Sequence, residues 1–188
     1  VKLSAVVRRW LKVADPTAIT ALEALQRALG YGRAIRGVSR SEVIAFSWGD
    51  GASEGTKDLE RLARETNLVF NPNKHFMEIR TGAEPLHPGG NAWVLVYEPG
   101  DGADLSDAVA RRRLLTSPPD AVRRGVLWEL DLEGSTETVR SMAEEIAVTR
   151  SRTSGLLANP HHQRIRVLDA SPTAADLAAL LESDREIS

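Results

Sequence analysis

The chain has 188 residues, 42% hydrophobic and 27% charged, enough for a buried core in one medium domain or two small ones. Its formal charge of −2 gives no electrostatic reason to expect nucleic acid or an anionic membrane as partner. There is no cysteine, which excludes disulfides, thiol nucleophiles, zinc knuckles and iron–sulfur clusters together.

In chain order, Ser4 to Val13 reads as a β-rich opening strand. Asp15-Pro16 then starts a helix: Asp15 can cap free N–H groups, and Pro16 fits the first helical position, where its missing N–H costs nothing. Ile19, Leu22, Leu25 and Leu29 fall at helical spacing, and Gly30 supplies the left-handed stop. Val43 to Trp48 is a strand apolar enough to be partly covered on both faces. A helix from about Thr56 to Asn67 turns Leu59, Leu62 and Ala63 inward, and Asn71-Pro72 ends it before a closing strand, Phe76 to Arg80.

The same order follows again. Trp93 to Tyr97 is a strand, and Asp104 to Leu115 a helix with Leu105, Ala108 and Val109 on one side. Val126, Trp128, Leu130 and Leu132 alternate with Leu127, Glu129, Asp131 and Glu133, a half-buried strand pattern. Ser135 or Thr136 caps a helix whose stripe is Val139, Met142, Ala143, Ile146 and Ala147. Leu156-Leu157-Ala158-Asn159-Pro160 then precedes a last strand, Arg164 to Leu168. Thr173 to Leu181 reads as an amphipathic tail helix with Leu177, Leu180 and Leu181 available to dock.

Asn71-Pro72 and Asn159-Pro160 stand 88 positions apart, and Ser41 and the corresponding Gly125 stand 84 apart. The expectation is a duplicated unit: unit 1 over 1–82, a Pro/Gly linker over 83–91, unit 2 over 92–170 and a tail over 171–188. The expected fold class is α+β, of ferredoxin-like type. Mainly antiparallel strands would carry helices on one side, and the two units would close on each other as a pseudo-dimer.

The ordered motifs resemble PurS, the small accessory subunit of phosphoribosylformylglycinamidine synthase. Asp15-Pro16-Thr17 and Ala28-Leu29-Gly30-Tyr31 carry the likeness in the first copy. Val122-Arg123-Arg124-Gly125, Trp128-Glu129-Leu130 and Gly155 to Pro160 carry it in the second. The likeness spans most of residues 3–169, once per copy. The family's glycine-lysine step is replaced by Ser41-Glu42 and Gly125-Val126, and its acidic segment after Asn-Pro by Asn73-Lys74-His75 and His161-His162-Gln163. The resemblance implies a non-catalytic role without cofactor or metal, bridging a PurL-like synthetase subunit and a PurQ-like glutaminase subunit in purine biosynthesis. It also leaves room for a homo-oligomer. Its partner-interface candidates are Arg123, Arg124, Gly125, Asn71, Asn159 and Pro160.

Other chemistry is thinly represented. Neighbouring His161 and His162 would point to opposite sides and suit one metal ion poorly. Gly49-Asp50-Gly51 and Gly100-Asp101-Gly102 lack the following Gly-Lys-Ser/Thr of a phosphate loop and read as turns. Arg111-Arg112-Arg113 reads as a solvated helix end, and Trp10, Trp48, Trp93 and Trp128 as strand residues packing in the core or between the copies. No apolar leader opens the chain at Val1-Lys2-Leu3, and no apolar run approaches the ~20 residues of a membrane helix, so the expected compartment is the cytoplasm. The alternative function is a regulatory module holding a small molecule between the units.

Overall fold

A computed structural model describes residues 3–49, 55–112, 115–151, 154–168 and 170–183. The elements run β1 (Leu3–Leu11), α1 (Pro16–Glu23, continued by a π-helical turn Ala24–Ala28), β2 (Ile35–Trp48), α2 (Gly55–Glu65) and β3 (His75–Thr81). They continue with β4 (Ala92–Tyr97), α3 (Ala103–Arg112), β5 (Ala121–Leu132), α4 (Thr136–Ala147), β6 (Arg164–Leu168) and α5 (Ala174–Glu182). The class is α+β. All six strands join one antiparallel sheet in the order β3-β1-β2-β5-β4-β6.

The strand order is palindromic in kind: β1 lies between β3 and β2, as β4 lies between β6 and β5, and β2 meets β5 at the centre. The register agrees with the motif spacing. Val6 sits between Ala45 and Arg80, and Trp93 sits between Glu129 and Leu168. Ala45 to Glu129 is the same step as Ser41 to Gly125, and Arg80 to Leu168 the same step as Asn71 to Asn159.

β2 is twice as long as its apolar run suggests. Ile35 to Ser41 is too polar to read as a strand, yet it pairs with Leu127–Leu132 of β5, beyond the reach of β1. This overhang decides where the helices go. α1 delivers the chain to Ile35, so it lies over β5 and β4, where Ala18, Ala21 and Leu25 pack with Trp128, Leu130, Val94 and the α4 residues Val139, Ala143 and Ile146. α3 delivers the chain to β5 and lies over β1 and β2, where Leu105 and Val109 join Ala5, Val7, Ile44 and Phe46 and the α2 residues Leu59, Leu62 and Ala63. Segments 1–82 and 92–170 therefore share two cores, each built from both.

Two local expectations need correcting. Ile19 is exposed rather than part of the α1 contact face, which runs through Ala18, Ala21 and Leu25 into the π-helical turn. The second strand of the later half is not half-solvated either: Leu127 and Glu129 on its supposed outer side are buried. The first follows from the target of α1, Trp128 and Leu130 on β5; the second follows from the cover on the sheet's second face, where α5 and the 82–91 segment lie, so the helices do not all stack on one side. The 82–91 segment has to cross this face, because β3 is an edge strand and β4 lies near the opposite edge. It is anchored along the way: Pro85 bridges Thr173, Leu86 is buried, and Asn91 exchanges hydrogen bonds with the Leu132 backbone.

α5 begins with a capping box between Thr173 and Asp176. Its buried stripe, Ala174, Leu177, Ala178 and Leu181, rests on Val6, Val43, Ala45, Leu95 and Leu127. Trp48, Trp93 and Trp128 are buried, whereas Trp10 is half-buried, 6.0 Å between ring centroids from the exposed Phe76. Among the described residues, no helix is long and apolar enough to cross a membrane.

Candidate functional site: two cavities flanking the central strands

The two cores on the helix face are separated by a polar band on the central strands. Arg9, Arg40, Glu42 and Arg124 project there from β1, β2 and β5 into the gap between the α1–α4 and α2–α3 layers. Arg9 Nε donates to Glu42 Oε2 at 2.8 Å, and the Arg9 guanidinium also reaches the Val69 carbonyl at 3.0 Å. Arg40 packs its guanidinium 5.9 Å from the Trp128 ring centroid.

Two cavities open along this band. The larger, about 240 Å³, is lined by β4 and β5 residues including Val96, Tyr97, Arg124 and Gly125, together with Glu98, Asp101, Gln163 and Glu42. The smaller, about 60 Å³, is lined by Arg9, Trp10, Leu11, Asp15, Arg40, Ser41, Glu42 and His75. Every residue of the smaller one has its counterpart in the larger: Arg9 and Val96, Trp10 and Tyr97, Leu11 and Glu98, Asp15 and Asp101. The series continues with Arg40 and Arg124, Ser41 and Gly125, Glu42 and Val126, His75 and Gln163.

Each cavity is edged by a helix-start aspartate paired to a strand arginine. Asp15 caps α1 by accepting from the Thr17 and Ala18 amides, and its carboxylate lies 3.6 Å from Arg40. Asp101 sits in the Gly100-Asp101-Gly102 turn before α3, 3.2 Å from Arg124, which also holds Asp104. The hydrogen bond from Arg124 keeps the Asp104 carboxyl below the usual range. Gly100 and Gly102 have φ of 78° and 114°, and a Cβ on Gly102 would collide with the Val122 carbonyl, so the turn docks tightly on β5. In the smaller cavity His75 is held below its ordinary pKa, by burial first and then by the adjacent Arg9 charge.

The sequence-derived candidates are scattered. Arg124 and Gly125 line the larger cavity, but Arg124 is engaged by two aspartates of its own chain. Gly125 is buried, and a Cβ there would come within 3.1 Å of Leu95 and 3.2 Å of Leu181, so its smallness admits α5. Arg123 points to the sheet's second face and donates to the carbonyl of Val122. Asn71 and Asn159 make the same turn: each side-chain oxygen accepts from the amide two residues on, and each carbonyl accepts from the amides three and four residues on. Pro160 follows in the exposed part of the second turn. These three residues end their segments; they do not meet Arg123, Arg124 or Gly125 in one patch.

His161 and His162 lie exposed on that same turn, away from His75 and from His87, whose ring Nδ1 is 2.7 Å from Glu78. Among the described residues, no group of three or more His, Asp or Glu is placed to hold a metal ion. Arg113 and the Asp50-Gly51 pair fall outside the described residues.

Sequence reasoning missed Arg8, Arg40 and Glu129. Arg8 and Glu129 sit in strand segments that read as half-solvated, and only the tertiary cover makes their charges conspicuous. The signal for Arg40 was present in the spacing, because it stands 84 positions before Arg124.

The structure thus defines an α+β sheet protein with paired polar cavities beside its central strands. No protein-family model matches the chain, and no curated protein matches it significantly.

Proposed function

We propose that the chain is a tandem pair of PurS-like units acting as a non-catalytic accessory subunit of the glutamine-dependent phosphoribosylformylglycinamidine synthase complex. On this reading it bridges the synthetase and glutaminase subunits, and two fused units stand in for a dimer of single ones. The observation that supports it most is the register. The offsets taken from short motifs, 84 and 88 positions, recur in the strand ladders on either side of Val6 and Trp93. The repeated Asp–Arg pairs and the repeated Asn-Pro turns support the same duplication. The role itself rests on the motif resemblance. Its test is co-purification with the two partner subunits and rescue of their glutamine-dependent activity. Binding and rescue are expected; neither occurring would refute the role.

A second reading is favoured by the cavities. A ligand-binding regulatory module would hold a small polar molecule at the larger one, where Glu42, Glu98, Asp101, Gln163 and Arg124 converge over an apolar floor of Val96 and Val126. Thermal shift with nucleotides, amino acids and purine intermediates distinguishes it. A saturable stabilisation abolished by Arg124→Ala supports this second reading, and no shift from any of them refutes it.

A further inference from the structure

The second face of the sheet carries a buried ionic centre that neither cavity uses. The Arg8 guanidinium donates to Glu129, to Ser41 Oγ at 3.0 Å, to Glu78 Oε1 at 3.2 Å and to the His87 carbonyl at 2.7 Å. Glu129 in turn accepts from Ser39 Oγ at 3.2 Å and from the Gly89 amide at 2.8 Å. Arg8 is 7% and Glu129 2% exposed. The pair joins β1 to β5 across β2, and so joins the first half of the chain to the second.

The equivalent place on the other side of the centre is apolar. Arg8 corresponds to Leu95 and Glu129 to Ala45, and Leu95 and Ala45 lie together in the cluster beneath α5. One side of the β2–β5 junction is thus closed by Arg8 with Glu129, the other by Leu95 with Ala45.

We infer that Arg8 and Glu129 make each half of the chain fit only the unlike half, so that the protein pairs within itself and not with copies of the same half. The inference rests on the equivalence of the halves proposed above. If two first halves paired through β2, each Arg8 would face an Ala45 and lose its Glu129 partner, keeping Glu78 and Ser41. If two second halves paired through β5, each Glu129 would be buried against a Leu95 and lose the Arg8 guanidinium, with Arg166 one strand further out on β6. Loss of a buried ion-pair partner is unfavourable, most of all for Glu129, and each like pairing would contain two such losses. The unlike pairing alone brings the two charges together, and it also gives Glu129 the Ser39 hydroxyl and the Gly89 amide as further donors. The backbone registers do nothing to separate the three pairings, because both halves present the same strand order. Discrimination falls to these side chains.

The test exploits the absence of cysteine and the position of Glu42. Glu42 pairs with Val126, its own counterpart, so in a like pairing of first halves residue 42 would face residue 42 of the other chain. The full chain carrying Glu42→Cys is refolded at high concentration and oxidised, with and without Arg8→Leu and Glu129→Ala. Those two substitutions give both sides of the junction the Leu–Ala pairing. The expected result is a monomeric free thiol in the Glu42→Cys chain and about tenfold or more disulfide-linked dimer in the triple variant. A folded triple variant that stays as monomeric as the Glu42→Cys chain overturns the proposal. Dimers seen by light scattering without the 42–42 link overturn instead the equivalence of the halves. Should the triple variant not fold, Glu129→Ala with Val126→Cys serves, since it relieves only the second-half pairing; a 126–126 disulfide is expected, and its absence overturns the proposal.

Discussion

Arg8 and Glu129 show how one residue pair can outweigh many contacts. Removing Arg8 leaves the Glu129 carboxylate buried without its cation, which costs about 3–5 kcal/mol, whereas replacing both by apolar groups of suitable volume costs far less. Arg8→Leu should therefore lower unfolding free energy in urea by about that amount, and Arg8→Leu with Glu129→Ala by clearly less. Equal losses in the single and double variants would contradict the ionic account. At the same scale, His75 makes a pH prediction. Its pKa in the folded chain is lowered below the ordinary 6.5. Between those two values the unfolded chain binds more protons, so stability falls as pH drops below about 6.5. His75→Asn should flatten that part of the stability–pH curve, and an unchanged slope would contradict the burial and Arg9 assigned to it. Single residues were the least legible level in the sequence. Arg8 and Glu129 alternate like ordinary outward-facing strand residues, and nothing local reveals that a Pro/Gly-rich segment lies over them.

Elements were more legible where periodicity and caps agreed. Asp15-Pro16, Ser135 and Thr173 each start a helix as their chemistry suggests, with Asp15, Ser135 and Thr173 accepting from first-turn amides. The failures have one cause, pairing that depends on distant segments. The polar start of β2 becomes a strand because β5 supplies its hydrogen bonds, and α1 turns its alanines rather than Ile19 to the core because its target is Trp128 and Leu130 across the junction. The tail helix was legible as a docking element, and the face it covers was not. α5 holds on through two leucines and two alanines over Ala45 and Gly125, which leave room for Leu181. Leu181→Ala should cost about 2–5 kcal/mol in denaturant titrations, as truncation of a buried leucine does. A change below about 0.5 kcal/mol, the range of a surface substitution, would show that α5 is not docked as described.

For the whole molecule, the six strands form one sheet, and one helix of each half, α1 and α3, crosses onto the strands of the other. A chain so interleaved cannot divide into two freely moving units, even though its motif spacing and ladder registers repeat. The spacing was readable from two Asn-Pro turns, because in each the asparagine fixes the same local hydrogen-bonded geometry. The interleaving was not readable, since it depends on the β2 overhang. If the chain bridges two enzyme subunits, it does so as one rigid body presenting fixed surfaces, with the exposed Asn-Pro turns at its ends. The most direct measurement of that role is glutamine-dependent conversion of formylglycinamide ribonucleotide by the synthetase and glutaminase subunits, with and without this chain. The account predicts that adding the chain restores the glutamine-dependent rate and leaves the rate with free ammonia unchanged; a glutamine-dependent rate that does not respond to the chain would contradict it.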